Sequence, residues 1–463
     1  RGTAAFRFLS ETRRFSDFMF EHRLYVPMNE HPLSYSPVKK TSTVSAEGYP
    51  DVPSHASPLL GTCTHRHATD VNHTSTWEEV DSFARMQDAE GRQPRGGCCC
   101  QFPWFCEHEM PPAQKPPGPL PHVCFMVNLK SGVGIGATLS EALGDIEDST
   151  VIDLQALCHT PAILHGEVLR VIQAHHAAEG IRIVAAGGDG TVTWVASLIE
   201  EACESLKIDK VTMAVLPCGV GNEVSRCTGF GASFGASSFS GSSSLENFVV
   251  DVMTGPTVML DTWTVTITEE DGTVQEKHSV CFLSAGFDAS IALRFHEMRD
   301  RSGSKPISNT MNKLAHVWYG VVDSVESNNY VQGGCVDLKV DGITIELPPN
   351  INTVQIMSLP SSTDGNDFFG LGQKSRPHEM QRFSYPNFGD GLLEVLGTRG
   401  IGEIAAIRVG ATHSHRIAQG VRAELTLHKP TPIQLDGEPW LQAPCTISIA
   451  PRSKIPIVIG RGS

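Results

Sequence analysis

The residues whose types and spacing suggest chemistry most directly are Gly-Gly-Asp-Gly-Thr at positions 187–191. An apolar run at 181–186 precedes them, and apolar residues with helical spacing resume at Val192. This order predicts a buried strand, a tight turn and the start of a helix. Glycines let the backbone approach a ligand closely, and the free N–H groups of a helix start attract an anion such as phosphate.

Asp189 brings a carboxylate to the same place. A Mg²⁺ ion between a carboxylate and a phosphate is the usual arrangement that offsets the repulsion between them. We therefore predict that Asp189 is a catalytic and metal-binding residue, and that its neighbours bind a phosphate-bearing cofactor. These neighbours are Gly187, Gly188, Gly190 and Thr191. Taken alone, the motif also fits a turn with a purely structural role.

Two other glycine-containing loops follow predicted strands. One begins at Asn128 after the apolar run 123–127, and the other covers 217–223 after the run 211–216. Strands that alternate with helices predict a parallel sheet, whose ligands bind beyond the carboxyl ends of the strands. We therefore expect the three loops to converge on one ligand, with Gly219, Gly221 and Asn222 contributed by the third loop. None of the three matches the Walker A or the G-x-G-x-x-G pattern.

The composition narrows the class of protein. The chain has 463 residues, a formal net charge of -15 and 40% hydrophobic residues. The negative charge argues against general nucleic-acid binding, which needs clustered Lys and Arg. A transmembrane span is not expected, because the sequence lacks an apolar run of about 18 residues. Thirteen cysteines, several of them inside apolar segments, are typical of a reducing compartment, so we expect a cytoplasmic protein.

Changes in composition and in the pattern of apolar residues along the chain predict three regions. Residues 1–120 are rich in Pro, Ser, Gly and His and are expected to form a flexible extension, whose cysteines at 98–100 lack the spacing of a zinc site. Residues 121–250 are the predicted α/β domain. Residues 251–463 predict a mostly antiparallel β domain with helices at 289–299 and around 312–324. The strands predicted there include 258–267, 353–357, 392–396, 403–409, 423–427 and 446–449.

Taken together and in this order, the motifs resemble the catalytic and accessory regions of eukaryotic diacylglycerol kinases, within the wider lipid kinase family that includes sphingosine and ceramide kinases. The catalytic motifs are 128–132, 187–191 and 216–223, and the accessory motifs are 282–289, 294–296, 312–314, 390–394, 416–420 and 434–440. The resemblance runs from about residue 123 to the C-terminus. This chain departs from the family pattern at Leu129 (usually Pro), Val220 (usually Thr) and Glu223 (usually Asp).

The resemblance implies an α/β nucleotide-binding domain with a parallel sheet, followed by a mostly antiparallel β-sandwich accessory domain. It implies an ATP-dependent diacylglycerol kinase of lipid signalling and phospholipid metabolism. Such an enzyme transfers the γ-phosphoryl group of Mg-ATP to the free hydroxyl of diacylglycerol and forms phosphatidic acid. Phosphoryl transfer depends on positioning and charge neutralisation. Lys130 is the candidate for the positive charge, and Asn128 and Ser131 are candidates for hydrogen bonds to the nucleotide.

Two acidic motifs of the accessory region complete the expected site. Asp390 resembles the family's general base for the lipid hydroxyl, and a β-turn aspartate is the alternative. Asp436, Gly437 and Glu438 resemble a loop that returns towards the nucleotide, where acidic residues assist the metal. A simple hairpin turn is the alternative for this loop.

Diacylglycerol stays in the bilayer, so the resemblance implies peripheral association with a membrane surface. Since the net charge is -15, docking needs a local basic patch. The candidates are Arg294, Arg299, Arg301, Lys305 and Lys313, although a solvated surface also accounts for such charges. Two other functions stay open: a sphingosine, ceramide or NAD kinase that shares the 187–191 loop, and a lipid-binding scaffold whose kinase site has decayed.

Overall fold

The computed structural model of the chain describes residues 120–128, 136–144, 146, 148–177, 180–219, 221–234, 242–301, 330–371 and 383–461. The predictions for Lys130 and Ser131 and for the extension before residue 120 lie outside the described residues. So does the helix predicted around 312–324.

Strands and helices alternate in the first half of the described chain, as the apolar runs predict. The strands are β1 (His122–Val127), β2 (Ser149–Asp153), β3 (Ile181–Gly187) and β4 (Thr212–Pro217). The helices are α1 (Gly136–Gly144), α2 (Leu154–Leu157), α3 (Pro161–His175), α4 (Asp189–Leu206), α5 (Glu223–Cys227) and α6 (Ser242–Thr254). The four strands pair in parallel in the order β2, β1, β3, β4.

Helices cover both faces of this parallel sheet. On one face, Ile183 of β3 packs in a buried cluster with Ile199 of α4. On the other face, Val184 of β3 belongs to a second cluster that includes Phe248 of α6. Strands that are buried on both faces carry apolar residues at successive positions, which explains why 183–186 lack alternation. The α/β part of the fold prediction is confirmed.

The second half of the described chain is mostly β-structure. Its strands are β5 (Thr257–Glu269), β6 (Val274–Ser279), β7 (Phe282–Gly286), β8 (Val336–Val340), β9 (Ile343–Ile345), β10 (Thr353–Met357), β11 (Leu393–Thr398), β12 (His415–Gly420), β13 (Ala423–Leu427), β14 (Thr431–Leu435), β15 (Glu438–Gln442) and β16 (Cys445–Val458). Its helices among the described residues are α7 (Phe287–Arg301) and α8 (Ile401–Arg408).

The last strand joins the two halves in one sheet. β16 pairs in antiparallel fashion with β5 and β13, and its end lies parallel to β4, where Ile457 is opposite Met213. A ten-stranded sheet therefore runs from β2 to β9. The predicted boundary between residues 250 and 251 falls inside helix α6, before β5 begins, and stays a prediction.

A second sheet completes the accessory region. It has six antiparallel strands in the order β12, β11, β10, β7, β14, β15. Trp263 and Leu425 of the first sheet share a buried cluster with Leu283, Val354 and Ile433 of the second. Two antiparallel layers that bury their facing side chains form a β-sandwich, so this part of the fold prediction is also confirmed.

One predicted strand is wrong, because residues 403–409 lie mainly in helix α8. The isoleucines of 401–407 repeat every third position, at Ile401, Ile404 and Ile407, which fits one helical face. Glu403 also accepts a hydrogen bond from the backbone N–H of Arg399 at 2.6 Å, and this contact satisfies a donor at the helix start. These local contacts favour the helix over the strand.

Gly286 and Gly166 provide a test of this fold. Gly286 ends β7 with φ +114°, and a Cβ there would overlap the carbonyl oxygen of Asn352. Gly166 lies inside α3, and a Cβ there would meet nothing within 4 Å. We expect Gly286→Ala to lower the free energy of unfolding by more than about 2 kcal/mol. The control Gly166→Ala should raise it by about 0.5–1 kcal/mol. Urea denaturation followed by circular dichroism measures both, and equal effects of the two substitutions would contradict the described turn.

Candidate active site

The three predicted loops begin at one edge of the parallel sheet. Val127 at the end of β1 is paired with Ala186 of β3, and Gly187 is paired with Pro217 at the end of β4. The backbone N–H of Cys218 also donates to the Gly187 carbonyl at 2.9 Å. The three strands therefore end level with one another, and the loops that follow them begin side by side.

The second and third loops pack backbone against backbone. A Cβ on Gly188 would lie 3.2 Å from the Cα of Gly219, and one on Gly219 would lie 2.8 Å from Oδ1 of Asn222. Asn222 itself closes the third loop, because its side chain accepts from the N–H of Gly219 and donates to the carbonyl of the same residue, both at 2.9 Å. The described contacts of this asparagine are therefore to its own loop and to the carbonyl of Ala232.

The first loop is tied to the second through side chains. Nδ2 of Asn128 donates to Oγ1 of Thr191 at 3.0 Å, and Oδ1 of Asn128 accepts from Nε2 of Gln155 at 3.1 Å. Gln155 lies in α2 and was not among the predicted site residues. Sequence reasoning missed it because it stands outside all three glycine loops.

Asp189 ties the second loop to the third. It is the first residue of α4, and its carboxylate accepts the backbone N–H groups of Glu223 at 3.0 Å and Val224 at 3.1 Å. It therefore caps α5 from a different part of the chain. Burial raises the pKa of Asp189, and the nearby Asp436 carboxylate adds to that shift.

Glu223 is a buried acid that the predictions did not place in the site. Its side chain accepts hydrogen bonds from Oγ of Ser361 at 3.1 Å and from the N–H of Gly365 at 3.2 Å. Burial raises its pKa to about 7, and the neighbouring Asp189 carboxylate contributes to that rise. Its position inside the 217–223 loop was the available signal, but its partners lie more than a hundred residues away.

Asp436 is buried and holds the accessory region against α4. Its carboxylate accepts five hydrogen bonds, one of them from Oγ1 of Thr193 at 2.5 Å. The other four donors belong to one short segment and are Oγ of Ser279 and the N–H groups of Val280, Cys281 and Phe282, at 2.8–3.1 Å. Burial raises the pKa of Asp436. Both oxygens of this carboxylate are thus engaged by donors of the chain itself.

Glu438 differs from Asp436 in its exposure. It is exposed, and its Oε1 would lie 3.9 Å from a Cβ placed on Gly190. Gly437 between the two acids adopts φ +87° and turns the chain into β15. Of the predicted acidic pair, Glu438 is therefore the carboxylate that faces the open start of α4.

Asp390 lies at the edge of the second sheet from which Asp436 also projects. Asp390 precedes β11 and Asp436 follows β14, and these strands are separated by β10 and β7. The strands β11 and β14 are therefore three strand spacings, or about 14 Å, apart. Asp390 is exposed, and its Oδ1 accepts the N–H of Leu392 at 2.9 Å within its own turn.

An ion pair between a buried aspartate and a partly exposed lysine supports the Asp390 turn. Asp261 is buried and lies 3.0 Å from Nζ of Lys454, which also donates to the carbonyl of Gly389 at 2.6 Å. The other oxygen of Asp261 accepts the N–H of Gly391 at 2.6 Å. Desolvation raises the pKa of Asp390, and the Asp261 carboxylate adds to the shift.

The structure corrects one candidate for membrane docking. Arg294 is only 7% exposed, because it lies on α7 where that helix covers the second sheet, so it does not offer a surface charge. The side chains of Arg299, Arg301, Lys305 and Lys313 lie outside the described residues. No helix among the described residues is long and apolar enough to cross a membrane. The described part of the chain also holds no group of three or more His, Cys, Asp or Glu side chains arranged to bind a metal ion.

Two family models match the chain. The diacylglycerol kinase catalytic domain matches residues 122–245, and the diacylglycerol kinase accessory domain matches residues 280–439. The first match contains all three glycine loops, and the second contains Asp390, Asp436 and Glu438.

Curated relatives agree with these models. Diacylglycerol kinase theta of Rattus norvegicus is 33% identical over 268 residues, which is 57% of this chain and 28% of that protein. Diacylglycerol kinase 2 of Arabidopsis thaliana is 30% identical over 352 residues, which is 73% of this chain and 46% of that protein. The chain thus spans less than half the length of these relatives. A crystal structure of a diacylglycerol kinase from Bacillus anthracis is 14% identical, with a TM-score of 0.39, and the match covers 74% of this chain and 97% of that one. With both matched domains in sequence order and the predicted motifs inside them, the chain belongs to the diacylglycerol kinase family.

Proposed function

We propose that this chain transfers the γ-phosphoryl group of ATP to the free hydroxyl of diacylglycerol and so forms phosphatidic acid. The observation that carries the proposal is the start of α4, where the three loops begin at level strand ends and Asp189 links the second loop to the third. Membership in the diacylglycerol kinase family supports the choice of acceptor. Phosphoryl transfer asks mainly for positioned donors and neutralised charge, which such an arrangement supplies.

The phosphates of ATP are proposed to lie against the start of α4. This helix has 18 residues, and its N-cap Gly188 offers no side-chain hydrogen bond to the first turn. The N–H groups and dipole of the first turn therefore attract an anion. Gly187, Gly190 and Thr191 line this position, and Lys130 and Ser131 stay predictions for contacts from the first loop. Gly219, Gly221 and Asn222 shape the third loop around it.

The two carboxylates proposed to bind a Mg²⁺ ion at this place are Asp189 and Glu438. Each oxygen of Asp189 accepts one N–H group, which leaves lone pairs for a cation, whereas the oxygens of Asp436 are engaged by five donors. Mg²⁺ prefers a few carboxylate oxygens together with phosphates and water. When bound, the ion would neutralise charge on the phosphates. We propose Asp189 and Glu438 as its ligands and keep Asp436 and Gly437 as the support for Glu438.

Asp390 is proposed as the base that accepts the proton of the lipid hydroxyl. It is exposed at the edge of the second sheet, and its pKa is raised above the ordinary value, which makes the carboxylate a better proton acceptor. Its turn is held by Asp261 and Lys454. Because diacylglycerol stays in the bilayer, we propose a cytoplasmic protein that meets the membrane surface peripherally.

The acceptor is the first testable element. Purified chain with labelled ATP and Mg²⁺ is offered mixed micelles of diacylglycerol, ceramide or sphingosine, or NAD in solution. We expect the label in phosphatidic acid. Asp189→Asn should lower the rate at least about 100-fold, since it replaces the carboxylate at the proposed metal and phosphate site.

Asp341→Asn is the matched control for that experiment. Asp341 also accepts two backbone N–H groups, from Val421 and Arg422, but it lies in the turn between β8 and β9, four strands from β3 in the sheet. Its substitution should leave the rate within about twofold. If the label appears in a different product, the molecule that carries it is the acceptor, and the proposal of diacylglycerol is wrong. Absence of label in every acceptor, with lipid binding retained, would favour the scaffold.

The role of Asp390 can be separated from that of a turn residue. Asp390→Asn should lower kcat about 10- to 100-fold, less than Asp189→Asn, because a loose transition state needs little help from a base. The KM for ATP should change less than about twofold. Asp271→Asn is the control, since Asp271 also precedes a glycine and accepts the N–H group two residues ahead, from Thr273 at 2.8 Å. If both substitutions affect kcat alike, Asp390 is only a turn residue.

A further inference from the structure

Helix α5 packs against residues 361–366, a segment of the accessory region. Its first residue, Glu223, is 3% exposed and accepts hydrogen bonds from Oγ of Ser361 and the N–H of Gly365. Its last residue, Cys227, places Sγ 3.4 Å from the same Ser361 hydroxyl. Both ends of this short helix therefore contact one serine, which is itself fully buried.

Arg226 strengthens the same contact. Its Nε donates to the carbonyl of Gly221 at 2.9 Å, so it holds the third glycine loop. Its side chain also packs against Gly365, where an added Cβ would lie 3.1 Å from Cδ of the arginine. The third loop and the 361–366 segment thus share Arg226 as well as Glu223.

The 361–366 segment is held firmly from the sheet side. Ser362 and Asn366 are bridged by two backbone hydrogen bonds, at 2.9 and 3.3 Å. Gln355 of β10 donates to Oγ of Ser362 at 2.8 Å. Thr363 and Asp364 adopt left-handed conformations, with φ +53° and +68°, which only a well-determined surrounding maintains in non-glycine residues. The segment therefore offers a fixed surface rather than an adaptable one.

Glu223 completes a chain of contacts to the proposed phosphate site. Its backbone N–H donates to Asp189, while its carboxylate is bound by Ser361 and Gly365. We propose that Glu223 is a positioning residue through which the accessory region holds the third glycine loop in its nucleotide-receiving shape. This inference rests on the proposed function. The length of the Glu223 side chain is what matters for this role. An aspartate side chain is one methylene shorter and would not reach both donors of the accessory region, Ser361 and Gly365.

A direct role of the Glu223 charge makes the opposite prediction. If the carboxylate acted on the metal or the phosphates, Glu223→Asp would keep the function and Glu223→Gln would lose it. If Glu223 acts by reaching Ser361 and Gly365, the glutamine keeps an acceptor oxygen at the right length and the aspartate does not. The order of the two variants therefore separates the two roles.

The experiment measures ATP affinity by calorimetry and amide hydrogen exchange at residues 219–228 in the full chain. Glu223→Asp should weaken ATP binding about tenfold, and Ser361→Ala about fivefold. Glu223→Gln should stay within about threefold of the parent chain. Exchange should become faster in the two weakened variants. In steady-state assays these variants should raise the KM for ATP more than they lower kcat.

Ser284→Ala is the matched control. Ser284 is a fully buried serine of the accessory region that donates to Asp288, away from α5. Ser284→Ala should lower the free energy of unfolding about as much as Ser361→Ala does. It should leave the ATP affinity and the amide hydrogen exchange at residues 219–228 unchanged. Better ATP binding by Glu223→Asp than by Glu223→Gln overturns the proposal, and so do parent-like affinity and exchange in Ser361→Ala. If the parent chain is an active kinase and the variants equal it in ATP affinity and amide exchange, this inference fails but the proposed function does not. If the parent chain binds no ATP, the proposed function fails with it.

Discussion

The buried carboxylate of Asp436 accepts five hydrogen bonds, and the arrangement of the two regions depends on it. One donor, Thr193, belongs to the helix that begins in the Gly-Gly-Asp-Gly-Thr loop, and the others belong to the segment from the end of β6 to the first residue of β7. A buried carboxylate is costly unless donors surround it, so the chain must keep both sets of donors in place. The carboxylate therefore fixes where the accessory region meets the start of α4.

The rest of α4 repeats this attachment along one face. Thr193, Ser197 and Glu200 are spaced by four and three residues, so they point in nearly the same direction. Their partners are, in order, Asp436, His278, and Thr262 together with Arg452. The other side of the helix packs into the apolar cluster under the parallel sheet. An amphipathic helix of this kind joins an apolar core to a polar interface, and its first turn lies where both regions can act on a ligand.

Much of the fold follows from local sequence. The run at 181–186, the glycines at 187–190 and the helical spacing after Val192 predict the strand, turn and helix that the structure contains. Alternation of strands and helices predicts the parallel sheet, and the resemblance to lipid kinases adds the sandwich. The sequence predicts only 446–449 as a strand, whereas β16 extends from Cys445 to Val458. Pro451 and Pro456 lie in the longer part, and prolines argue against a strand. They are tolerated because they lie in the stretch where β16 pairs with β5 but not with β13 or β4.

The site was predicted less completely than the fold. The glycine loops could be placed because each follows its own strand, and their convergence is a property of parallel sheets. The partners of Asp436 and Glu223 could not, because those hydrogen bonds join residues more than a hundred positions apart. Arg294 looked like a surface charge, but burial depends on what the fold lays over a residue rather than on its type.

The central claim is that Asp436 couples the phosphate-binding helix to the accessory region through Thr193. A double-mutant cycle of Thr193→Val and Asp436→Asn tests it most directly, with the free energy of unfolding measured for all four chains. A coupling energy of about 1–3 kcal/mol between the two substitutions is the predicted result, because each removes one partner of the same buried hydrogen bond. Effects that add to within about 0.3 kcal/mol would contradict it.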